Sequence, residues 1–292
     1  HNHIVELEPR RGTIYDRNMR AMALNVAAYS LYANPRSMTE GEKDSVVTHL
    51  ARVLGVSAGA LDKKLAREKY FVWLERRLPQ DQYEKIKEMK LKGLGFVRES
   101  KRFYPNGSLA AHLIGFSNID NVGLQGVESE YNRHLQGKKG KAHFLRDARQ
   151  RDLLIERDLV PAEDGDSVVL TIDETIQFIA EKALDKSFEK YHARSATIIV
   201  LDPATGEVLA FANRPTFRPD SPETSPVENR TNRAVAFVYE PGSVFKIVTA
   251  AAALDSGMVK EEDVFFCENG KYRVANHYLK DHDPYGNLTF RE

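Results

Sequence analysis

The chain has 292 residues, enough for two domains of ordinary size, and 42% of them are hydrophobic, which excludes a largely disordered protein. Charged residues make up 29%, and the mean hydropathy is −0.46. No apolar run reaches the roughly 20 residues that cross a bilayer, so we expect no membrane span within this sequence. The single cysteine, Cys267, excludes an internal disulfide and a zinc site built from several cysteines.

The charges cancel overall but not locally. Residues 1–165 carry 28 basic and 22 acidic side chains, a net charge of +6, whereas residues 166–292 carry 14 and 20, a net charge of −6. This asymmetry predicts two modules with different surfaces, and it is too mild to indicate a nucleic-acid partner. The chain starts at His1 without a signal sequence and stops at Glu292 without linker composition, so we interpret both ends as cuts within a longer protein.

The first module is predicted to be rich in short strands. Alternation at 29–33 predicts a strand, and apolar residues at helical spacing predict small helices over 46–54 and, after Pro79, over 83–89. Residues 93–145 are rich in Gly, Asn and Ser, which indicates short strands and extended connections. A mixed-charge run containing Arg146, Arg149 and Arg151 is typical of a solvated surface or an interdomain contact.

The second module is predicted to have longer elements. A strand is expected over 168–172, and Asp173 can cap the helix that follows. The apolar positions of that helix recur every three or four residues: Ile176, Ile179, Ala180, Ala183, Leu184 and Phe188. Two strand-like runs, 196–201 and 207–212, flank a hairpin turn. The change to longer, more regular elements after residue 165 predicts two domains, 1–165 and 166–292.

A serine and a lysine with the spacing of a nucleophilic pair follow. Pro241 and Gly242 precede an Ala-rich run that ends at Gly257, so Ser243 is predicted in the first turn of a buried helix. Lys246 comes three residues later, on the same face of that helix. A serine hydroxyl attacks a carbonyl only if a base accepts its proton. Lowering a lysine pKa from about 10.4 to near 7 costs about 4 to 5 kcal/mol, which burial can supply.

Spacing alone does not establish this pair. A second Ser-x-x-Lys, Ser187 with Lys190, lies within the predicted long helix among charged residues, and we interpret it as a solvated helix face. For Ser243 and Lys246 the alternative is a capping serine and a lysine at the mouth of a core helix.

Four separated motifs resemble those of the class B penicillin-binding proteins. In chain order they are Arg11-Gly12-x-Ile14-x-Asp16-Arg17-Asn18; Arg102-x-Tyr104-Pro105 leading to His112-Leu113-Ile114-Gly115-Phe116; Gly123-Leu124-Gln125-Gly126-Val127-Glu128; and Asn232-Arg233-Ala234 before Glu240-Pro241-Gly242-Ser243-Val244-Phe245-Lys246. The resemblance implies an α+β architecture, in which an extended, strand-rich pedestal precedes an incomplete penicillin-binding transpeptidase domain of the serine β-lactamase-like fold. The motif residues of the first module are expected to be structural.

The resemblance also implies a chemistry. Ser243 would be acylated by the carbonyl between the last two D-alanines of a peptidoglycan stem peptide, with Lys246 as proton acceptor and the Ser243 N–H as an oxyanion donor. An amine of a second stem peptide would then resolve the ester, and a β-lactam would form the same ester and persist. No cofactor and no metal is implied.

Two further signatures of this mechanism are absent from the chain. Ser-x-Asn occurs nowhere, and the only Lys-x-Gly, Lys138-Lys139-Gly140, falls in the first module. The resemblance puts both signatures beyond Glu292, so we expect this chain to be inactive by itself. Tyr285-Gly286-Asn287 could replace Ser-x-Asn, but its turn composition favours a plain turn.

Two residue clusters have other interpretations. Cys267, His277, Asp281, His282 and Asp283 lie close in sequence, but their spacing fits no zinc pattern, and we interpret them as loop residues near the edge of a site. A second cluster is aromatic and apolar, and it suggests core packing or else a partner site: Tyr70, Phe71, Trp73 and Leu74.

Three functions are left open: a cell-envelope transpeptidase of the division type, a β-lactam sensor or hydrolase on the same platform, and a scaffold whose pedestal docks cell-wall synthesis partners. The resemblance implies an N-terminal anchor in the cytoplasmic membrane, catalysis on its outer side, and a membrane-embedded glycan polymerase and division proteins as partners.

Overall fold

The computed structural model describes residues 2–146 and 152–292, so most of the predicted mixed-charge run lies outside the described residues. The strands, in chain order, are β1 (Asn2–Leu7), β2 (Ile14–Tyr15), β3 (Ala21–Ala33), β4 (Val72–Leu78), β5 (Leu94–Phe103), β6 (Phe116–Ser117), β7 (Gly123–Gln125), β8 (Gly140–Arg146), β9 (Asp152–Val160), β10 (Val168–Val169), β11 (Ala196–Leu201), β12 (Val208–Arg214), β13 (Val264–Phe266), β14 (Lys271–Val274), β15 (His277–Lys280) and β16 (Asn287–Thr289). The helices are α1 (Glu40–Leu54), α2 (Ala58–Leu65), α3 (Gln80–Glu88), α4 (Ala111–Ile114), α5 (Gly126–Glu130), α6 (Asn132–Leu135), α7 (Glu174–Tyr191), α8 (Arg233–Ala236) and α9 (Lys246–Asp255).

These elements form two compact units, His1–Ala236 and Phe237–Glu292. The first unit contains a mixed sheet in the order β10-β2-β3-β4, in which β5 also pairs with β3, on the edge opposite β4. It also contains a three-stranded sheet in the order β1-β8-β9. Only the β10–β2 pair is parallel within the larger sheet. The predicted α+β class is therefore confirmed.

The long strand β3 organises the first part of this unit. It was expected only over 29–33, but it begins at Ala21, because β2 pairs with its first residues and β5 pairs with it from Leu24 to Ala33. Helices α1, α2 and α3 cover one face and bury a core that includes Leu31, Leu50 and Leu74. Both predicted helices are present, and α1 begins at a capping box formed by Thr39.

The aromatic cluster that leads into β4 packs only partly in the core. Leu74 is buried, but Trp73 is half-buried, and Tyr70 and Phe71 are 65% and 44% exposed. Successive strand residues point to opposite faces, so only every second side chain of this segment reaches the helices. Phe71 instead stacks on Tyr32 outside the core.

A second core unites the motif-bearing loops with the segment after residue 165. It includes Ile14, Ile114, Leu135, Ile172 and Phe217. The strand expected over 168–172 is limited to Val168–Val169, where it pairs with β2. Ile172 is buried in this core rather than in a continuing strand.

The predicted long helix and hairpin are present as α7 and the β11–β12 pair. Asp173 caps α7 by accepting hydrogen bonds from the N–H groups of Thr175 and Ile176. The predicted apolar face is partly wrong, because Ile179 and Ala183 are exposed, whereas the polar Gln177 and Glu181 are buried.

The second unit is small. It contains α9 and two antiparallel pairs, β13 with β16 and β14 with β15. Its core is sparse, because none of its described residues is buried. No helix within the described ranges is both long and apolar enough to cross a membrane.

Candidate active site

Ser243 lies in a short 3-10 turn, Gly242–Phe245, that leads directly into α9. Gly242 has φ +55°, a left-handed conformation that glycine adopts without a Cβ penalty. The carbonyl of Ser243 accepts a hydrogen bond from the Lys246 N–H. The Ser243 N–H lies in the first turn, where backbone N–H groups have no intrahelical acceptor. This N–H is therefore available to stabilise a developing oxyanion.

Lys246 is the first residue of α9, whereas the sequence predicted Ser243 in the first turn of that helix and Lys246 three residues later. Residues three apart on a helix are neighbours on one face, about one turn from each other. Both side chains are exposed, and within the described chain no hydrogen bond joins the Ser243 hydroxyl to the Lys246 ammonium. The two residues therefore have the spacing of a serine–lysine pair, but their side chains do not contact each other through a hydrogen bond.

The prediction of a buried helix is wrong for this chain. The apolar side chains around the pair are exposed, with Ile247 at 70%, Val244 at 62% and Phe245 at 56%. A helix that is apolar on all sides is normally a core helix. The apolar composition of α9 predicted a core helix, but none of the described residues covers it.

The second Ser-x-x-Lys of the chain has a different setting. Ser187 and Lys190 are exposed near the C-terminal end of α7 rather than at a helix start. The Ser187 N–H is held within the helix, so it offers no oxyanion donor. The interpretation as a solvated face agrees with this position.

The segment before the candidate serine is anchored to β12. The Asn213 side chain accepts a hydrogen bond from the Ala234 N–H at 3.2 Å and donates to the Asn232 side chain at 3.3 Å. Asn213 is buried at 2% exposure. A buried amide that bonds to backbone and side chain fixes the start of α8, which is where the Asn-Arg-Ala motif lies.

The motifs of the first module converge on one buried carboxylate. Glu128 is fully buried and accepts hydrogen bonds from Arg11 Nε at 2.7 Å and from Arg102 Nε at 2.6 Å. The Tyr104 hydroxyl also donates to it at 3.3 Å. Burial, reinforced by the Glu128 charge, raises the pKa of Tyr104, so this hydroxyl stays protonated and remains a donor. The motif residues are therefore structural, as expected.

The opening motif also reaches α7. Asp16, fully buried, accepts hydrogen bonds from the N–H groups of Asn18 and Arg20 through Oδ1 and from that of Glu174 through Oδ2. The Asn18 amide donates to the helix-capping Asp173 at 3.0 Å. These contacts fix the start of α7 to the turn that follows β2.

Sequence reasoning missed a buried polar cluster on α7. Glu181 accepts hydrogen bonds from the Ala110 N–H and from the Gln177 amide, and it pairs with Arg214, which also pairs with Asp185. The sequence contains a signal for this cluster, because Gln177, Glu181 and Asp185 recur at four-residue spacing in the helix. The prediction used only the apolar positions of that helix.

The remaining candidates lie in the second unit. Tyr285 and Gly286 lie in a loop that joins β15 to β16, and the Gly286 carbonyl accepts from the Cys267 N–H at 2.7 Å. In the ranges that the structure describes, no three His, Cys, Asp or Glu side chains converge as metal ligands.

Comparison with known families assigns both parts of the chain. Residues 6–170 match the penicillin-binding protein dimerisation domain, and residues 196–292 match the penicillin-binding protein transpeptidase domain. The chain therefore belongs to the penicillin-binding protein family. The recognition made from the four motifs is confirmed, and the candidate serine and lysine fall within the part that matches the transpeptidase domain.

Among individual proteins, the chain is similar to the probable peptidoglycan D,D-transpeptidase PenA of Neisseria gonorrhoeae, with 35% identity over 98% of this chain and 49% of that protein. It is also similar to the peptidoglycan D,D-transpeptidase FtsI of Escherichia coli (strain K12), with 32% identity over 98% of this chain and 49% of that one. The chain spans about half the length of these relatives.

Solved structures share the fold. A peptidoglycan synthetase from Bifidobacterium adolescentis superposes with a TM-score of 0.66 at 26% identity, covering 99% of this chain and 57% of that one. The penicillin-binding protein PBP2 of Helicobacter pylori, solved in a complex with MreC, gives a TM-score of 0.76 at 22% identity, covering 99% and 59%.

Proposed function

We propose that the whole protein is a peptidoglycan D,D-transpeptidase that cross-links stem peptides through an ester on Ser243. The observation that carries this proposal is the position of Ser243 in the turn that starts α9, with Lys246 one turn along, inside a segment that matches the transpeptidase domain. The names of the relatives in Neisseria gonorrhoeae and Escherichia coli support the same activity.

The proposed reaction assigns one role to each group. The Ser243 hydroxyl attacks the carbonyl between the last two D-alanines, and its proton passes to the neutral Lys246 amine. The Ser243 N–H stabilises the oxyanion of the tetrahedral intermediate. Lys246 then returns the proton to the departing D-alanine amine, which leaves an ester on Ser243. An amine of a second stem peptide attacks this ester and releases the serine.

We further propose that the domains divide at residue 165, with the pedestal over 1–165 and the transpeptidase part over 166–292. The limits of the two family matches, 6–170 and 196–292, support this division. The pairing of β10 with β2 means that the second domain would begin with a strand in the sheet of the first. Because this chain lacks Ser-x-Asn and Lys-Thr-Gly, we propose that it forms no ester by itself.

The cellular setting is part of the same proposal. The whole protein would be anchored in the cytoplasmic membrane, with its catalytic part on the outer side and a membrane-embedded glycan polymerase and division proteins as partners. A role in septal wall synthesis is part of this proposal, and the similarity to a peptidoglycan D,D-transpeptidase named FtsI supports its enzymatic part. β-Lactams would act as inhibitors because they form the same ester.

Labelling with a fluorescent penicillin tests the proposal. The whole protein should be labelled, Ser243→Ala should abolish labelling, and Ser187→Ala, the matched variant in the second Ser-x-x-Lys, should leave it unchanged. Lys246→Arg keeps the positive charge but cannot accept a proton, so the acylation rate should fall by at least about a hundredfold. Labelling of the Ser243→Ala protein would contradict the assignment of Ser243 as the nucleophile. Labelling of the 292-residue chain would contradict its predicted inactivity.

The same experiment separates the alternatives. A label that persists for hours indicates a transpeptidase, whereas rapid release of penicilloic acid indicates a hydrolase on the same platform. Cell-wall cross-linking that is unchanged by Ser243→Ala would favour the scaffold.

A further inference from the structure

The first unit contains a cleft of about 720 Å³ beside the middle of β3. Its walls come from residues 25–27 of β3, from Trp73 with the following arginines of β4, from residues 97–100 of β5 and from residues 8–10. The cleft lies where the large sheet is incomplete.

The incomplete part is an open strand edge. β5 pairs with one edge of β3 from Leu24 to Ala33. β4 pairs with the opposite edge only from Tyr29 onward, and the pairing of β2 with β3 extends no further than Ala23. Residues 24–28 therefore have a partner strand on one edge only among the described strands. Val26 and Ala27 are both exposed although they are consecutive, as expected beside an open edge.

An unusual backbone conformation allows two adjacent cations to line the cleft. Neighbouring strand residues normally point to opposite faces, yet Arg76 and Arg77 both line the cleft. Arg77 has φ +56°, a conformation that is costly for a residue with a side chain, and its N–H donates to the Ser30 hydroxyl at 2.8 Å. Backbone strain of this kind is concentrated at functional sites.

The lining also has unused positive charge. It contains five cationic side chains and three carboxylates, which gives a net charge of +2. Arg76 is paired with Glu99 and Asp120. Arg10 and Arg98 are exposed, and neither guanidinium has a carboxylate partner in the part of the chain that the structure describes. Arg77 Nη2 donates to the Ser100 carbonyl at 2.7 Å and to the Asn121 side chain at 3.1 Å, but its buried Nε has no acceptor among the described residues.

We propose that this cleft binds an extended segment rich in Asp and Glu from a partner protein, which adds as a short strand to the open edge of β3. Such strand addition takes its affinity from main-chain hydrogen bonds and its specificity from side-chain contacts. The carboxylates of the segment pair with Arg10 and Arg98, and Trp73 supplies an aromatic wall. The site is independent of Ser243, so its failure would leave the proposed transpeptidase reaction untouched.

Binding of synthetic peptides tests both parts of the proposal. The probe is a fluorescein-labelled octapeptide of alternating Val and Asp, and its anisotropy is measured with the 292-residue chain. A matched Val–Lys peptide should bind at least about tenfold more weakly, because its charges oppose the lining. A Val–Asp peptide N-methylated at alternate amides keeps its charge but loses main-chain donors, and it should also weaken about tenfold. Equal binding of the three peptides, or none, would overturn the proposal.

Variants locate the binding to the cleft. Arg98→Glu should weaken Val–Asp binding at least about tenfold, whereas Arg133→Glu, the same charge change on an exposed residue outside the lining, should leave it within about twofold. Thermal melts of both variants should match the parent, because both residues are exposed. Light scattering addresses a second copy of this chain as occupant. A dimer that Arg98→Glu dissociates would overturn the assignment to a partner protein.

Discussion

Arg11 donates from Nε to Glu128 at 2.7 Å, although 117 residues separate them and both side chains are excluded from solvent. The second oxygen of the same carboxylate accepts from Arg102. A buried carboxylate shared by two guanidinium groups holds three distant segments together, and it is costly to disrupt because each remaining charge stays buried. These residues of the pedestal motifs therefore stabilise the fold and are not catalytic residues.

Removal of this carboxylate should unfold the first unit readily. Glu128→Gln leaves two buried guanidinium groups without a counter-charge, so we expect the free energy of unfolding to fall by about 3 to 5 kcal/mol. Urea denaturation followed by circular dichroism measures the loss. The control is Glu130→Gln, an exposed neighbour on the same helix, which should change stability by less than about 0.5 kcal/mol. Equal effects of the two variants would contradict the role of the Glu128 cluster.

Asp16 should stabilise the start of α7 specifically. Asp16→Asn replaces one acceptor oxygen by an amide that faces backbone N–H groups, so we expect a loss of about 1 to 3 kcal/mol. Hydrogen exchange distinguishes this effect from general destabilisation, because the amides of Glu174 and Arg20 should lose protection before those in the middle of α7. Asp44→Asn, on the exposed face of α1, is the control. Uniform loss of protection along α7 would count against the proposed local contact.

The elements that could be predicted from sequence are those set by local signals. The cap at Asp173, the hairpin between β11 and β12 and the turn at Ser243 each depend on residues within a few positions of one another. The class of the protein followed from motifs rather than from periodicity.

Long-range contacts could not be predicted. Periodicity gives the buried face of a helix but not its partners, so it assigned Ile179 to a core and overlooked Glu181, whose partner Arg214 lies 33 residues away. The pairing of β10 with β2 spans more than 150 residues and has no local signature. The burial of α9 was predicted from its composition, but the exposure of a helix depends on which other segments pack against it.

His112 should make stability fall at acid pH. The ring is buried at 4% exposure, and its Nε2 lies 2.8 Å from the Asn229 carbonyl. Burial lowers the pKa of His112 below its ordinary value of 6.5, so the unfolded chain binds a proton more readily than the folded one. The contribution of His112 is therefore intact above about pH 6.5 and is lost as pH falls toward the lower folded pKa.

The matching measurement is the melting temperature from about pH 8 to about pH 5.5 for the parent and for His112→Gln. The parent should lose more stability over this range, and the difference between the two proteins should shrink as pH falls. His49→Gln, at an exposed histidine of α1, should follow the parent curve. Parallel curves for the parent and His112→Gln would show that the ring does not titrate differently on folding.

Gly115 should be intolerant of any side chain because backbone lies against it. Its φ is +74°, and an added Cβ would lie 1.7 Å from the Gln125 carbonyl oxygen. Gly107 also has a positive φ, +60°, but open space around it, so its substitution tests the cost of a positive-φ backbone without a clash. We expect Gly107→Ala to cost about 1 to 2 kcal/mol from the left-handed backbone alone. Gly115→Ala should cost about 3 kcal/mol more, because its ψ of −153° lies outside the left-handed region and because the end of β7 at Gln125 must move to relieve the overlap. Urea denaturation compares the two variants, and similar losses would show that the end of β7 at Gln125 moves without cost.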